Sequence, residues 1–539
     1  MITADELFKH YSDHGFSFSK EILSRYTLSL YTKPFVILSG ISGTGKTKIA
    51  QLFPIEHLTA DAVPAPTTRH ESKGRITLTI TKGVRDTDGR GNLANDHMSV
   101  VFEPDKLKEI ERRIADLVKA GRDDNVVDPV ELTVDTPQGE ELTFGVYVQR
   151  ANSPLIRLRA KSKRGESPSY DSQPYLRKHY SVGDIVALEK IGPYHFKIVA
   201  ATEEQKKQEA VDQAKIASTI RRTLLVPVRS DWTDQSEVFG YYDPISQRYS
   251  VTSVLEFLLD AQQFPNEPFH LILDEMNLSK VEYYFSDFLS CLESRICKPD
   301  GSVEQVPIRL HNQGSVVPTT HVNIEEVPES IELPSNLYVT GTVNVDETTY
   351  MFSPKVLDRS NVIEFNEVNL EGSASSNEDR FTLKTLPEFK DHDPVSSDDF
   401  HHMISEAMRQ KIAALNKCLD GRGHNFGYRT AFEMARFIDK ATTYAEAVAE
   451  VAFDIQITQK VLPKLHGGQA EVEDVLCALL NFLLVQSGQQ SQPLIFYSNE
   501  WLSGEGASAI ASSPFVLSLA KISSMLRDVR IRGFTAFVG

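Results

Sequence analysis

The sequence is poor in cysteine. It has four, Cys291, Cys297, Cys418 and Cys477, and none belongs to a Cys-x-x-Cys pair. A disulfide framework is excluded, and no His/Cys cluster has zinc spacing, so reduced core thiols of a cytoplasmic protein are expected. Long hydrophobic runs are also missing. No stretch stays apolar for the roughly 20 residues that a membrane-spanning helix needs. The N-terminus, Met1-Ile2-Thr3-Ala4-Asp5-Glu6-Leu7, has neither a basic nor an apolar leader region, so no signal peptide is expected. Positive charge is in deficit: 57 Lys and Arg against 74 Asp and Glu leave a net charge of −17. That argues against indiscriminate wrapping of nucleic acid, while a local basic patch stays open. At 539 residues the chain is too long for one core, and about three domains are expected.

Against these absences stands one dense stretch. Pro34-Phe35-Val36-Ile37-Leu38 reads as an apolar strand, Ser39-Gly40-Ile41-Ser42-Gly43-Thr44-Gly45 as a glycine-rich loop, and Lys46-Thr47-Lys48-Ile49-Ala50 as a helix start. Gly40, Gly45, Lys46 and Thr47 fit G-x-x-x-x-G-K-[ST], the P-loop. The glycines let backbone N–H groups turn toward phosphate oxygens, with Ser42, Gly43 and Thr44 completing the loop. The helix adds its positive end, Lys46 reaches the β- and γ-phosphates, and the Thr47 hydroxyl holds Mg²⁺.

The rest of the phosphate chemistry lies downstream. Leu271-Ile272-Leu273-Asp274-Glu275 is an apolar strand ending in two carboxylates. Asp274 is placed to hold Mg²⁺ with Thr47, and Glu275 to orient the attacking water. A third apolar strand, Leu337-Tyr338-Val339-Thr340-Gly341, precedes Asn344, which suits a polar sensor between Glu275 and the γ-phosphate. Arg359, after Leu357-Asp358, suits an arginine finger, and Arg429, in Gly427-Tyr428-Arg429, is placed to contact the γ-phosphate from a C-terminal helical lid.

In this order the motifs resemble those of AAA+ ATPases, and more narrowly the McrB family, the NTP-driven motor subunits of modification-dependent restriction systems. The narrower likeness runs through Val228-Arg229-Ser230-Asp231-Trp232, Phe239-Gly240-Tyr241-Tyr242-Asp243-Pro244, Asp274-Glu275-Met276-Asn277-Leu278-Ser279-Lys280 and Lys460-Val461-Leu462-Pro463-Lys464-Leu465-His466-Gly467. The resemblance implies an α/β fold: an AAA+ P-loop core, a parallel sheet with helices on both faces, plus a helical lid. It implies a self-assembled ring, a hexamer in that family's manner, with Arg359 acting in trans. It implies Mg²⁺ with ATP or GTP as ligands, and a separately encoded nuclease of the McrC kind as partner. The family's Met-Asn-Thr-Ala-Asp-Arg-Ser signature is here Val343-Asn344-Val345-Asp346-Glu347-Thr348-Thr349. The arginine is absent, and nothing in the sequence selects guanine over adenine.

Lys46 and Asp274 are 228 positions apart, far more than a few alternating elements require, so a domain is inserted after the P-loop helix. Alternating runs such as 75–80, 130–134, 142–148, 155–159, 184–188 and 195–199, around a helix carrying Leu107, Ile110, Ile114 and Leu117, mark it as mainly β and barrel-like. Its second half is locally basic and aromatic. Arg157, Arg159, Lys161, Lys163, Arg164 and Tyr175 are the candidate DNA contacts.

The expected division is therefore an N-terminal helical segment (1–33), a first core segment carrying the P-loop (34–62), the insert (63–217), a second core segment (218–370), a helical lid (371–485) and an unassigned tail (486–539). Within it, 202–222 reads as a charged connecting helix and 371–399 as an exposed connection. No nuclease site is expected: Glu189-Lys190 has the wrong spacing for one. Two functions from different classes stay open, a DNA-handling motor in anti-phage defence and a MoxR-like remodeller of a protein client.

Overall fold

The computed structural model describes residues 3–55, 75–80, 90–93, 98–119, 130–149, 155–160, 171–181, 184–201, 221–265, 267–297, 303–314, 316–321, 324, 326–345, 350–365, 380–389 and 397–537. The chain is an α/β protein. Helix α1 (Ala4–Asp13) starts at a capping box, with Glu6 N–H donating to Thr3 Oγ1 and Thr3 N–H to Glu6 Oε2. Helix α2 (Lys20–Thr32) lies on a parallel sheet, and its Tyr26 hydroxyl is 2.8 Å from Thr340 Oγ1 in the sheet's middle. Strand β1 (Phe35–Gly40) is buried along its whole length and leads through the glycine-rich loop into α3 (Lys46–Gln51).

The insert follows: β2 (Arg75–Thr79), β3 (Arg90–Leu93), α4 (Pro104–Lys119), β4 (Val130–Asp135), β5 (Glu141–Gln149), β6 (Leu155–Arg159), α5 (Gln173–His179), β7 (Ile185–Gly192) and β8 (His195–Ala200). The strands form one seven-stranded half-barrel in the order β2-β7-β8-β4-β5-β6-β3. All its pairings are antiparallel except β4 with β8. Leu132, Val134, Phe144, Val146, Ile156 and Leu158 fill a core of its own, closed by Ile110 of α4. The expected connecting helix at 202–222 lies mostly outside the described residues.

The sheet then resumes with β9 (Thr223–Pro227), a hairpin of β10 (Tyr241–Asp243) and β11 (Arg248–Ser250), α6 (Ser253–Gln263), β12 (Phe269–Asp274), α7 (Ser286–Glu293), β13 (Leu337–Asn344), α8 (Pro354–Asp358) and β14 (Asn361–Glu364). Its order is β14-β1-β13-β12-β9, all parallel. β13 therefore lies between the two strands that end in the glycine-rich loop and in Asp274. The unbroken burial of β1 and β13 is what a parallel sheet covered on both faces demands.

The C-terminal region is helical: α9 (Glu406–Leu419), α10 (Tyr428–Tyr444), α11 (Ala449–Gln456), α12 (Gln469–Gln486) and α13 (Val516–Arg532). Two expectations change here. Residues 380–389, read as belonging to an exposed connection, are tied into the core. Phe381, Leu383, Leu386 and Phe389 are buried, and Phe389 packs on Tyr31, Phe53 and Tyr338. The division at 485 is also not a break in packing. α13 lies against α12, Asp454 of α11 accepts the N–H groups of Leu517 and Ser518 at 2.9 Å each, and Gly467-Gly468 pairs with Phe534-Thr535. The unassigned tail thus belongs to the helical body.

The described cysteines Cys291, Cys418 and Cys477 are free. No helix among the described residues is long and apolar enough to cross a membrane.

Candidate functional site

The strands place the first group of side chains at one edge of the sheet, where β1, β12 and β13 all end. Gly40 closes β1, and the loop tip at Ile41, Ser42 and Gly43 is exposed while Thr44 is buried. Gly43 and Gly45 have φ of +80° and +95°, backbone that side chains rarely adopt. A Cβ on Gly45 would also meet the Phe18 ring at 3.0 Å. Lys46 is 4% exposed and folds back on the loop: its ammonium donates to Gly40 O at 2.9 Å, to Ile41 O and to Thr44 Oγ1 at 3.4 Å. A loop with left-handed glycines beside a buried ammonium is an arrangement that can receive an anion.

Thr47 donates to Asp274 Oδ1 at 2.6 Å, joining the loop helix to the end of β12. Thr342 of β13 donates to the same oxygen at 2.7 Å and accepts from Glu275 N–H at 2.9 Å. Glu275 is one of the few non-glycine residues with positive φ, +53°. Such a conformation persists only where surrounding bonds over-determine it. Here they are the Thr342 bond and the donation from Asn344 Nδ2 to Glu275 Oε1 at 2.9 Å. Asn277 in turn donates to the Asn344 carbonyl at 3.1 Å. Sequence reasoning missed Thr342 and Asn277. The signal for Thr342 was a hydroxyl two positions before Asn344, near the end of the strand.

Arg359 and Arg429 come together elsewhere. Arg359 follows α8 and precedes β14, and Asn361 pairs with Val36 near the start of β1. It therefore lies at the opposite edge of the sheet, about 20 Å of strand from the glycine-rich loop at about 3.3 Å per residue. Both arginines donate to one carboxylate, Glu293 at the end of α7. This departs from the lid contact expected for Arg429. Glu433, one turn along α10, is tied to Lys33 ahead of β1, and this holds Arg429 at the strand-start edge.

The same edge holds a buried ionic cluster. Glu433 pairs with Lys33 and with Lys460, and Lys464 with Asp358. Burial pushes the Glu433 carboxyl up, but the two ammonium groups overcome it and hold it at about 2.

The candidate DNA contacts are placed differently from expectation. Arg157 and Arg159 are 3% and 2% exposed on β6, not on a solvent-facing loop. Arg157 donates to Gln263 of α6, and Arg159 lies over the Tyr147 ring at 5.4 Å. Tyr175 is buried in α5, its hydroxyl bonded to Gln138. Lys161, Lys163 and Arg164 lie outside the described residues. Exposed basic side chains on the insert include Arg177 and Lys178 of α5. Glu189 pairs with Arg75 and Lys197, and Lys190 with Glu103.

A family described as a domain of unknown function (DUF8727) matches residues 382–534. That span runs from the buried 380–389 stretch to the end of the helical body, joining the expected lid and tail. No curated protein matches the chain.

Proposed function

We propose that the chain is a nucleoside triphosphatase of the AAA+ kind, an McrB-like motor that recognises DNA and drives a partner nuclease in restriction. The observation that carries hydrolysis is the convergence of Lys46, Thr47, Asp274, Glu275 and Asn344 at one sheet edge, with β13 between β1 and β12. In this reading Lys46 exchanges its loop carbonyls for the β- and γ-phosphate oxygens. Glu275, held by Thr342 and Asn344, accepts a proton from the attacking water and aims it at the γ-phosphorus.

The donor set fits magnesium. A hydroxyl and a carboxylate oxygen, Thr47 and Asp274, meet at 2.6 Å, and Mg²⁺ is bound through one or two carboxylates plus substrate phosphates rather than an all-protein cage. Among the described residues no group of three or more His, Cys, Asp or Glu is placed to hold a metal, in keeping with such a sparse set. When bound, the ion neutralises charge developing on the phosphate oxygens.

Arg359 and Arg429 stand at the far edge of the sheet from the chain's own loop, so they serve a neighbouring copy's triphosphate, and the working unit is a ring, taken as a hexamer from the family resemblance. DNA recognition is assigned to the half-barrel insert, which has its own core and exposed Arg177 and Lys178. The McrC-like nuclease follows from the resemblance alone.

The test is hydrolysis of ATP and of GTP by the purified chain, with and without methylated and unmethylated duplex, with Glu275→Gln as control. DNA-stimulated turnover that vanishes in the variant supports the motor. Turnover indifferent to every duplex removes the DNA half and favours a protein remodeller. No turnover with either nucleotide overturns the reading. Mixing Glu275→Gln with Arg359→Ala chains tests the shared site: interfaces formed by the two intact halves restore some of the turnover that each variant alone lacks.

A further inference from the structure

Lys460 is the most deeply buried cation among the described residues, with a side chain 0% exposed. It lies in a wide, π-type turn, Ile457–Val461, between α11 and α12. Such turns in helical segments often mark functional positions. Its ammonium makes three contacts. One is to Glu433, at 2.6 Å. The other two are to main-chain carbonyls, Asp358 O and Ser360 O, each at 3.0 Å. Those carbonyls flank Arg359.

Lys460 is not the only counter-charge of Glu433. Glu433 already has Lys33 as an ion-pair partner. Lys460 adds a second cation to one carboxylate, and both burial and the nearby Lys33 disfavour its charged form. A group buried at such a disadvantage is better explained by what it holds than by the stability it adds. What it holds is short. α8 is five residues long, and the Arg359 N–H is directed at the Val356 and Leu357 carbonyls of that same turn. Ser360 is fully buried behind it, its hydroxyl on Val356 O at 3.2 Å. Lys464 completes the grip by pairing with the Asp358 carboxylate.

We propose that Lys460 is a positioning residue for Arg359: by binding the carbonyls on either side, it lets the helical body set the direction in which the guanidinium leaves the sheet edge. This rests on the triphosphatase reading, in which Arg359 acts on a neighbour's γ-phosphate. Lys460 touches no substrate. It acts on the backbone that carries the arginine.

The experiment compares the full chain with Arg359→Ala, Lys460→Met, the double variant and Lys460→Gln. Steady-state turnover at saturating nucleotide is read beside the Kd of a fluorescent nucleotide and the thermal midpoint. Lys460→Met is expected to lower kcat by roughly 10- to 100-fold, the scale of an ångström-level misplacement, with Kd changed less than about twofold. The double variant is expected to be no slower than Arg359→Ala, because the two act in series. Lys460→Gln, which keeps one donor for a carbonyl, is expected in between, and it carries the test if Lys460→Met does not fold.

The proposal is overturned if Lys460→Met turns over like the unsubstituted chain while Arg359→Ala does not. It is equally overturned if the losses multiply in the double variant. Absence of turnover in the unsubstituted chain is a separate result, because it removes the triphosphatase reading together with this one.

Discussion

Gly341 sits in the middle of β13, opposite Ile37 of β1 and Leu273 of β12, where the sheet is most tightly enclosed. A Cβ added there would lie 2.0 Å from Met276 Sδ, against an ordinary contact of 3.4–4 Å. Gly341→Ala therefore forces the thioether back by about 1.5 Å. Met276 is 0% exposed, so its thioether would have to move within a close-packed interior. Overpacking of this kind costs about 1–3 kcal/mol. At about 2–4 °C per kcal/mol for a domain of 150–250 residues, the midpoint should fall by about 2–12 °C. The larger effect is expected on chemistry. Met276 is bonded directly to Glu275, whose left-handed backbone depends on Thr342, the residue next to Gly341. A shift there moves the carboxylate that Asn344 holds, and turnover should fall at least tenfold.

The assay is a double-mutant cycle. Met276→Ala alone leaves a cavity costing about 2–5 kcal/mol. Together with Gly341→Ala it opens the space the new methyl needs, so the pair must be less damaging than the sum of its members, in both midpoint and turnover. Additive losses would refute the route through Met276. A Gly341→Ala chain with unchanged midpoint and turnover would refute the packing of this edge altogether.

Thr47→Ala should abolish magnesium-dependent turnover while leaving nucleotide binding in EDTA within a few-fold, because only the hydroxyl facing Asp274 is removed; isothermal titration with and without the ion reads both. Asn344→Ala removes its hydrogen bond to the Glu275 carboxylate, worth about 1.5–3 kcal/mol, and should lower kcat by roughly 10- to 150-fold with the Kd for nucleotide unchanged. Glu433 is held at about 2, below its ordinary 4.5, so its contribution is complete above pH 4.5 and is lost as pH falls toward 2. Denaturant titrations across that window should show stability falling with acid. Glu433→Gln should instead be about 3–5 kcal/mol less stable at pH 7, with Lys33 and Lys460 left buried without a carboxylate, and flatter below pH 4.5.

The strands of the parallel sheet were legible because both faces are covered, which makes Leu271-Ile272-Leu273 and Leu337-Tyr338-Val339 uninterrupted apolar runs. The insert's strands were legible by alternation, but alternation misled at Arg157 and Arg159. It predicts that residues between Ile156, Leu158 and Ala160 face water, yet Gln263 and the Tyr147 ring cover that second face, and no local pattern encodes a cover that comes from far along the chain. The 380–389 stretch failed for a related reason. Four apolar residues were averaged with Ser, Asp and Glu neighbours, although single aromatic anchors such as Phe389 are enough to bury a segment without regular structure. The meetings of Thr47 with Asp274 and of Asn344 with Glu275 were readable from residue type and spacing. The meeting of Arg359 and Arg429 on Glu293 was not, since their pairing depends on where α7, α8 and α10 end in space.

That pairing bears on how a site of this kind would be controlled. Glu293 offers its two oxygens to the two guanidinium groups, so in the isolated chain each arginine already has a carboxylate partner. A triphosphate from a neighbour would have to displace a carboxylate, not merely fill a vacancy, and would do so only when delivered within reach of both donors at once. Phosphate competes well under that condition, because it can take bidentate hydrogen bonds from each guanidinium and carries more charge than a carboxylate. The consequence is directional. In the proposed reading, a lone chain keeps its arginines on Glu293, and assembly supplies the stronger acceptor. The parallel sheet, with the glycine-rich loop where β1 ends and the arginines near where it starts, then keeps a chain's own triphosphate out of their reach.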